Sequence, residues 1–234
     1  MQELFEEYGV EISSSQVEML DTYYELLVSW NEKINLTSIT TYDDVVVKHF
    51  LDSALILSSS VDEFSLADGA RVLDVGTGAG FPGLVLAILI PDLKVVLLDS
   101  LNKRIDFLNE VINKLSLNNV RAIHGRAEDV ARDDSFRIGF DLVVSRAVAD
   151  MSLLLELCIP FVSDDGYFVA YKGPKFNDEL TLSEHALDEL KAKYLFEKSF
   201  NLSGADRTLV FFDRDGELPD KYPRRAGIPA KRPL

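Results

Sequence analysis

The 234-residue sequence predicts an α/β fold, in which a mostly parallel sheet of seven strands with a terminal antiparallel strand carries a helical N-terminal extension. Three observations support this prediction. Short runs rich in β-branched residues alternate with helical patterns from residue 71 onward, the first run ends in a glycine-rich turn, and two strand patterns follow one another near residue 200. Such alternation is typical of a parallel sheet with helices on both faces.

Residues 1–66 carry no long strand pattern and are predicted to form the helical extension. Residues 16–30 place apolar side chains three and four positions apart, which indicates an amphipathic helix. A second amphipathic segment begins at Asp43, and its predicted apolar face consists of Val46, Phe50, Leu51, Ala54 and Leu55.

Residues 67–214 are predicted to form the core. Strands are expected at 71–75, 94–98, 120–124, 141–145 and 167–171, with helices at 82–90, 102–115, 126–131 and 152–159 between them. A long polar helix is expected at 176–192, followed by a hairpin with strands at 194–201 and 207–213. This ending favours a Rossmann-like methyltransferase fold over a plain dinucleotide-binding fold.

The charge distribution separates the body from a basic C-terminal tail at 215–234. The chain has 39 acidic and 24 basic residues, a net charge of -15, so long-range electrostatics disfavour nucleic acid as a partner. The last 14 residues nevertheless hold five basic residues and no acidic ones: Lys221, Arg224, Arg225, Lys231 and Arg232. The prolines and glycines of these 14 residues oppose regular structure. The tail is interpreted either as an RNA contact or as a solvated terminus.

We expect a cytoplasmic protein with no membrane contact, and we take it to be monomeric. Cys158 is the one cysteine, and it lies in an apolar run that predicts a buried, unreactive thiol. The longest apolar run, 84–91, is far short of the ~20 residues that span a membrane. Nothing clusters at the spacing of metal ligands, so no metal is expected.

The glycine-rich turn at 72–83 fits two different fingerprints. From Gly78 it reads G-x-G-x-x-G, which is typical of NAD and FAD sites. From Asp74 it reads D-x-G-x-G-x-G, with Asp74 two residues before Gly76. A carboxylate there suits the cationic amino-acid end of S-adenosylmethionine and opposes a pyrophosphate, so the methyl donor is favoured; the alternative role of Asp74 is to orient the loop. An NAD-dependent oxidoreductase and a non-catalytic nucleotide sensor remain as alternatives.

Two later positions also point to a nucleoside ligand. Asp99 follows a strand 23 residues beyond Gly76, where a carboxylate can accept hydrogen bonds from both ribose hydroxyls; its alternative role is a helix N-cap. Ala127 and Glu128 follow the third strand, where backbone amides can contact an adenine edge; their alternative role is an acid-capped helix start.

Several blocks of sequence resemble the RsmG (GidB) methyltransferases, bacterial enzymes that methylate N7 of one guanine in 16S ribosomal RNA. The most specific are W-N-E-K-I-N-L-T at 30–37, K-H-F-L-D-S at 48–53 and Y-P-R-R-A-G at 222–227. The glycine turn and the blocks at 99–104, 126–128, 145–148 and 171–173 extend the resemblance over nearly the whole chain.

The resemblance implies S-adenosylmethionine as the cofactor and 16S ribosomal RNA, or a small ribosomal subunit particle, as the partner. The family's cofactor contacts correspond to seven residues of this sequence: Gly76, Gly78, Phe81, Asp99, Ala127, Glu128 and Arg146. The charge argument adds Asp74 to this set. For Arg146 the alternative is a surface arginine at the end of a strand.

Guanine N7 chemistry predicts a site without a general base. N7 has an in-plane lone pair and no proton to remove, so in-line displacement needs alignment alone. Lys172 or Arg146 is a candidate donor to guanine O6, and Arg224 and Arg225 are candidates for contacting RNA. His49 is either an RNA contact or a packing residue.

Overall fold

A computed structural model describes residues 1–146 and 149–234 of the chain. Its centre is a seven-stranded sheet with the spatial order β3-β2-β1-β4-β5-β7-β6. The strands β1 to β5 are parallel, and β7 is antiparallel to both of its neighbours. The strands are β1 Arg71–Val75, β2 Lys94–Asp99, β3 Val120–His124, β4 Phe140–Arg146, β5 Val162–Lys172, β6 Ala192–Leu202 and β7 Ala205–Arg214.

Helices cover both faces of the sheet because the strand residues alternate between two apolar clusters. Val72 and Val95 belong to one cluster and Leu73 and Val96 to the other. The first cluster packs against α2, α5 and α6, and the second against α7 to α10. The helices are α1 Gln2–Glu7, α2 Ser14–Ile34, α3 Tyr42–Val45, α4 Asp52–Ala54, α5 Gly83–Leu89, α6 Asn102–Lys114, α7 Ala127–Val130, α8 Met151–Cys158, α9 Phe176–Leu182, α10 Glu184–Leu190 and α11 Ile228–Lys231.

This architecture confirms the predicted fold class, including the antiparallel strand. The five core strands and the helices between them occur where the sequence predicts them, within a few residues. The helix predicted at 16–30 is α2, which begins at a capping box formed by Ser13 and Gln16. The segment predicted from Asp43 contains a π-helical stretch, Val46–Leu51, between α3 and α4, and all five predicted apolar positions are buried.

Two details of the C-terminal half differ from the prediction. The long helix expected at 176–192 is wrong, because the chain breaks at Ser183 into α9 and α10. The backbone N–H and the hydroxyl of Ser183 both donate to the Leu180 carbonyl, a local bond that competes with helix continuation. The hairpin turn is also shorter than residues 202–206: only Ser203 and Gly204 separate β6 from β7, both with positive φ, as tight hairpins require.

The N-terminal extension shares its core with the sheet. Leu20 and Leu27 of α2 and Phe50 lie in the same apolar cluster as Leu84 and Phe107. Tyr23 of α2 is fully buried against Phe81 and Phe50. Residues 1–66 therefore build one wall of the molecule's interior.

The C-terminal tail is also held to the body. Leu218, Tyr222 and Pro229 are buried, and the short helix α11 forms where the sequence predicts no regular structure. Arg137 donates to the Tyr222 carbonyl at 2.8 Å and Arg132 to the Pro223 carbonyl at 2.5 Å. Side chains of the body thus provide hydrogen-bond donors for backbone carbonyls of this irregular segment.

The strongest polar anchor of the tail is the pair formed by Arg224 and Glu156. The Glu156 carboxylate is completely buried in α8, and it accepts from Arg224 Nε at 2.8 Å and 3.1 Å and from Nη2 at 2.5 Å. The Arg224 backbone N–H donates to the same carboxylate at 2.9 Å. Replacing one member of such a pair leaves a buried group without its partner.

We expect Glu156→Gln to lower the free energy of unfolding by about 2 kcal/mol, because an amide cannot accept from both edges of the guanidinium. Urea unfolding at neutral pH measures the change. Glu110→Gln removes the same charge from an exposed site on α6 and should change stability by less than about 0.5 kcal/mol. Equal effects of the two substitutions would contradict an anchoring role for the pair.

Candidate active site

Three adjoining cavities lie along the carboxyl ends of the parallel strands. In the sheet, β2 and β3 lie on one side of β1, and β4 and β5 lie on the other. Ligands of open α/β sheets bind at such a switch point, where the order of the strands reverses direction. A central cavity of about 430 Å³ is lined by residues 76–79, Phe81, Asp99, His49 and Arg146 among others. The α7 cavity, of about 170 Å³, shares Gly76 and Asp99 with it, and the β5 cavity, of about 570 Å³, shares His49 and Arg146 with it.

The glycine turn after β1 forms the floor of the central cavity. Gly76, Gly78 and Gly80 all have positive φ. The N–H groups of Gly76 and Thr77 donate to the Leu98 carbonyl, at 2.9 Å and 3.1 Å. Gly80 has to lack a side chain, because a Cβ there would lie 2.6 Å from the Tyr23 hydroxyl oxygen. That hydroxyl donates to the Ala79 carbonyl, so α2 supports the turn from behind.

Asp74 holds the turn from inside the core. The sequence predicts that Asp74 contacts the ligand, but in the structure Asp74 is fully buried and is not among the lining residues of the three cavities. Its Oδ2 accepts from Thr77 Oγ1 at 2.7 Å and from the Gly83 N–H at 2.8 Å. Burial raises the pKa of Asp74 to about 6. Asp74 is therefore a positioning residue for the turn.

Asp99 bonds to the glycine turn and to the loop before α6; it is not the N-cap of that helix, which is Leu101, and its contact with a ribose stays a prediction. Its Oδ2 accepts from the Gly78 N–H at 2.9 Å and from Arg104 Nη1 at 3.0 Å, and its Oδ1 accepts from the Leu101 N–H at 2.9 Å. A carboxylate offers about four acceptor positions, so one on Oδ1 stays open toward the cavities. This position has room in its hydrogen-bonding capacity for one ribose hydroxyl, and a second hydroxyl would have to replace Arg104.

His49 and Arg146 form the wall shared by the central and β5 cavities, and both contact Phe81, which lines the central cavity. The His49 ring stacks on Phe81 with 4.6 Å between ring centroids, and the Arg146 guanidinium lies 5.0 Å from the Phe81 centroid. His49 Nε2 bonds to Thr37 Oγ1 at 2.8 Å, and its Nδ1 lies 3.1 Å from Arg146 Nη2. Burial and the charge of Arg146 lower the pKa of His49 to about 4, so its ring is neutral at pH 7.

Arg146 itself is tied to the N-terminal extension. Its Nη1 donates to Asp52 Oδ2 at 2.6 Å and to the Lys48 carbonyl at 3.1 Å. The sequence block 145–148 continues into Ala147 and Val148, which lie outside the described residues. Arg146 is thus fixed in place at the end of β4, and the alternative of a surface arginine does not describe it.

Ala127 and Glu128 line the α7 cavity, as expected for residues beside an adenine. Glu128 has a further contact that the sequence did not suggest: its Oε1 accepts from the Gly227 N–H at 2.9 Å. The tail therefore reaches the edge of this cavity.

The three predicted cationic RNA contacts differ in availability. Lys172 lines the β5 cavity and its Nζ donates to the Ala149 carbonyl at 2.7 Å and to Glu179 Oε2 at 2.5 Å. The Arg224 guanidinium is bound to Glu156, so any contact with RNA has to compete with a buried carboxylate. Arg225 is exposed.

Sequence reasoning missed several residues that shape these cavities. Tyr23, Thr37, Arg104 and Asp52 each contact a predicted site residue or the turn itself. Thr37 and Asp52 lie in two blocks that carry the family resemblance, W-N-E-K-I-N-L-T and K-H-F-L-D-S, but the sequence indicated no role for either residue. In the described part of the chain, no three His, Cys, Asp or Glu residues group as metal ligands do, and no helix is long and apolar enough to cross a membrane.

The family model for GidB, rRNA small subunit methyltransferase G, matches residues 16–210. The chain belongs to this family. Ribosomal RNA small subunit methyltransferase G of Lachnoclostridium phytofermentans is 49% identical over 97% of the chain and 93% of its own length. The enzyme of the same name from Clostridium perfringens strain 13 is 47% identical, with 100% and 97% covered. The resemblance noted in the sequence is confirmed, and with it the class, an S-adenosylmethionine-dependent rRNA methyltransferase.

Solved structures of low identity show the same fold. TYW2 of M. jannaschii in complex with AdoMet aligns with a TM-score of 0.51 at 18% identity, over 66% of the chain and 75% of that protein. A mutant of MtNAS in complex with S-adenosylmethionine aligns with a TM-score of 0.58 at 13% identity, over 86% and 76%. The fold of this chain is therefore one found in proteins crystallised with S-adenosylmethionine.

Asp74→Asn is expected to alter how stability depends on pH. Because burial raises the pKa of Asp74 to about 6, folding favours the protonated carboxyl; this stabilisation is present below about pH 4 and is lost as the pH rises through 6. An amide has no proton to lose, so the variant should gain stability relative to the wild type between pH 5 and pH 7.5. Chemical unfolding across this range measures the difference, which Asp106→Asn on the exposed face of α6 should leave flat. A flat difference for Asp74→Asn as well would show that the buried carboxyl does not titrate there.

Asp99→Asn is expected to weaken binding of S-adenosylmethionine about ten-fold or more. The amide has a single acceptor oxygen, which the Gly78 or Leu101 N–H would occupy, and its NH₂ cannot accept from a ribose hydroxyl. Isothermal titration calorimetry measures the dissociation constant, with Asp106→Asn as the matched control. An unchanged constant for Asp99→Asn would remove Asp99 from the ligand contacts.

Proposed function

We propose that this protein transfers the methyl group of S-adenosylmethionine to N7 of a guanine in 16S ribosomal RNA. The observation that carries the proposal is the shared wall of two cavities. His49 and Arg146 line both the central cavity, where the glycine turn and Asp99 form a nucleoside site, and the β5 cavity on the other side. A donor in one cavity and a base in the other would meet beside this wall, where the two cavities adjoin and the methyl group can pass directly from sulfur to N7.

The residues of the central cavity fit S-adenosylmethionine. Asp99 keeps an acceptor position for a ribose hydroxyl. The two arginines that line the cavity, Arg104 and Arg146, are paired with the carboxylates of Asp99 and Asp52, so neither guanidinium is free to bind the diphosphate of NAD. When bound, S-adenosylmethionine supplies an electrophilic methyl group; the protein binds and orients it.

The wall is suited to a displacement that needs no general base. The N7 lone pair forms the new bond to the methyl carbon while the carbon–sulfur bond breaks toward sulfur, and no proton moves. The two ring nitrogens of His49 are engaged by Thr37 and Arg146, so neither is free to remove a proton. What the wall provides is a fixed boundary that aligns the two reactants.

Guanine as the acceptor is supported by the polar groups of the β5 cavity. Lys172 contributes a cation and Asp52 a carboxylate to the same space. Proteins recognise single-stranded bases by hydrogen bonds to the edges of the base and by stacking on its ring. A nucleotide sensor would need only the central and α7 cavities, and the β5 cavity beside them favours an enzyme.

The test is methyl transfer from labelled S-adenosylmethionine to unmodified small-subunit ribosomal RNA, offered both as free RNA and as the particle. We expect label in one guanine that becomes sensitive to reduction and aniline cleavage, the chemical signature of N7 methylation. NAD should neither compete with the donor nor raise the melting temperature of the protein. Label on another atom or base would overturn the proposal.

The exposed basic residues of the tail are proposed to contact RNA phosphates. The double variant Arg225→Ala and Lys231→Ala should lower the affinity for RNA by about five- to ten-fold and reduce the salt dependence by about 1.5 in slope. Binding of S-adenosylmethionine should not change. Filter binding at several salt concentrations measures the first effect and calorimetry the second.

Lys94→Ala with Lys114→Ala is the matched control. Lys94 and Lys114 are exposed at the opposite edge of the sheet, at the start of β2 and the end of α6. This pair should leave RNA affinity within about two-fold of the wild type. If both double variants weaken RNA binding equally, the tail has no special role and the effect is one of net charge.

A further inference from the structure

The β5 cavity contains a buried carboxylate oxygen without a donor. Asp52 is 3% exposed, and its Oδ2 is held by Arg146 Nη1 at 2.6 Å. Among the described residues, Oδ1 has no hydrogen-bond partner; it forms an ion pair with Arg207, whose Nε lies 3.4 Å away outside hydrogen-bond geometry. Buried acceptors are nearly always satisfied in folded proteins, because an unmade bond is costly. This oxygen therefore calls for a donor from a ligand.

Lys172 provides a complementary donor in the same cavity. Its Nζ is bound to the Ala149 carbonyl and to Glu179, which leaves one of three ammonium hydrogens. The cavity thus offers an acceptor on Asp52 and a donor on Lys172. Among the four RNA bases, guanine presents a carbonyl acceptor, O6, beside two kinds of donor, N1–H and the N2 amino group.

We infer that Asp52 selects guanine, with Oδ1 accepting a hydrogen bond from the N2 amino group of the target base. The inference rests on the proposed function and adds the group that determines base specificity. N7 lies on the opposite side of the purine from N2, so holding the base through N2 leaves the N7 lone pair free for the methyl group.

The contact with Arg146 gives Asp52 a defined orientation. Since Arg146 Nη1 requires an acceptor, Oδ2 stays on the guanidinium, and Oδ1 stays on the side of Arg207, which lines the β5 cavity with Asp52. In Asp52→Asn the amide oxygen would keep the bond to Arg146. The NH₂ would then face the cavity, where it meets the guanine amino group donor to donor.

The experiment compares guanosine with inosine, which lacks only the N2 amino group, at the methylated position of small-subunit RNA. The measured quantity is the ratio of kcat/KM for guanosine RNA to kcat/KM for inosine RNA. Losses of folding or of donor binding act on both substrates and cancel in this ratio. We expect a ratio of about ten to one hundred for the wild type and of about one or below for Asp52→Asn.

Asp43→Asn is the matched control, since Asp43 is exposed in α3 and carries the same charge. It should keep the ratio of the wild type. A wild type that methylates both RNAs equally, or an Asp52→Asn protein that keeps the full preference, overturns the inference and leaves the proposed function standing. A wild type that methylates neither RNA overturns the proposed function, and the inference falls with it. A wild-type ratio of about one overturns the inference even if Asp52→Asn does not fold.

Discussion

The arrangement of the active site depends on two carboxylates that hold a glycine turn in shape at the end of β1. Asp74 bonds the turn from the core through Thr77 and Gly83, and Asp99 bonds it from β2 through Gly78. Both side chains act on backbone N–H groups or hydroxyls that would otherwise lack partners. The open acceptor position of Asp99 and the floor of the central cavity exist because this turn is held.

The N-terminal extension completes the site that the sheet begins. Tyr23 of α2 supports the turn from behind, and the segment 48–52 supplies His49 and Asp52, which bind Arg146. The wall shared by the central and β5 cavities thus consists of the extension on one side and the end of β4 on the other. Because the two proposed reactants would meet beside this wall, small displacements of the extension should affect catalysis more than folding.

Local sequence patterns predicted most of the fold, but they did not predict contacts between residues that are far apart in the sequence. The alternation of strands and helices identified five parallel strands, and the positions of Asp74 and Asp99 relative to Gly76 predicted a nucleoside site. The break at Ser183 depends on a single hydroxyl bond, and the order of the tail depends on Glu156, 68 residues before Arg224. Asp52 and Arg146 lie 94 positions apart, and no spacing rule reveals their pair. For Asp74 the position in the motif was informative, but the motif does not show that the side chain is buried. Its role as a positioning residue therefore depends on the folded protein.

The most direct test of this account is a crystal structure of the protein with S-adenosylmethionine. The account predicts a ribose hydroxyl on Asp99 Oδ1, the adenine in the α7 cavity beside Ala127, and the sulfonium methyl directed at the wall of His49 and Arg146, toward the β5 cavity. A donor bound with its methyl group directed away from that wall, or with its ribose distant from Asp99, would contradict it.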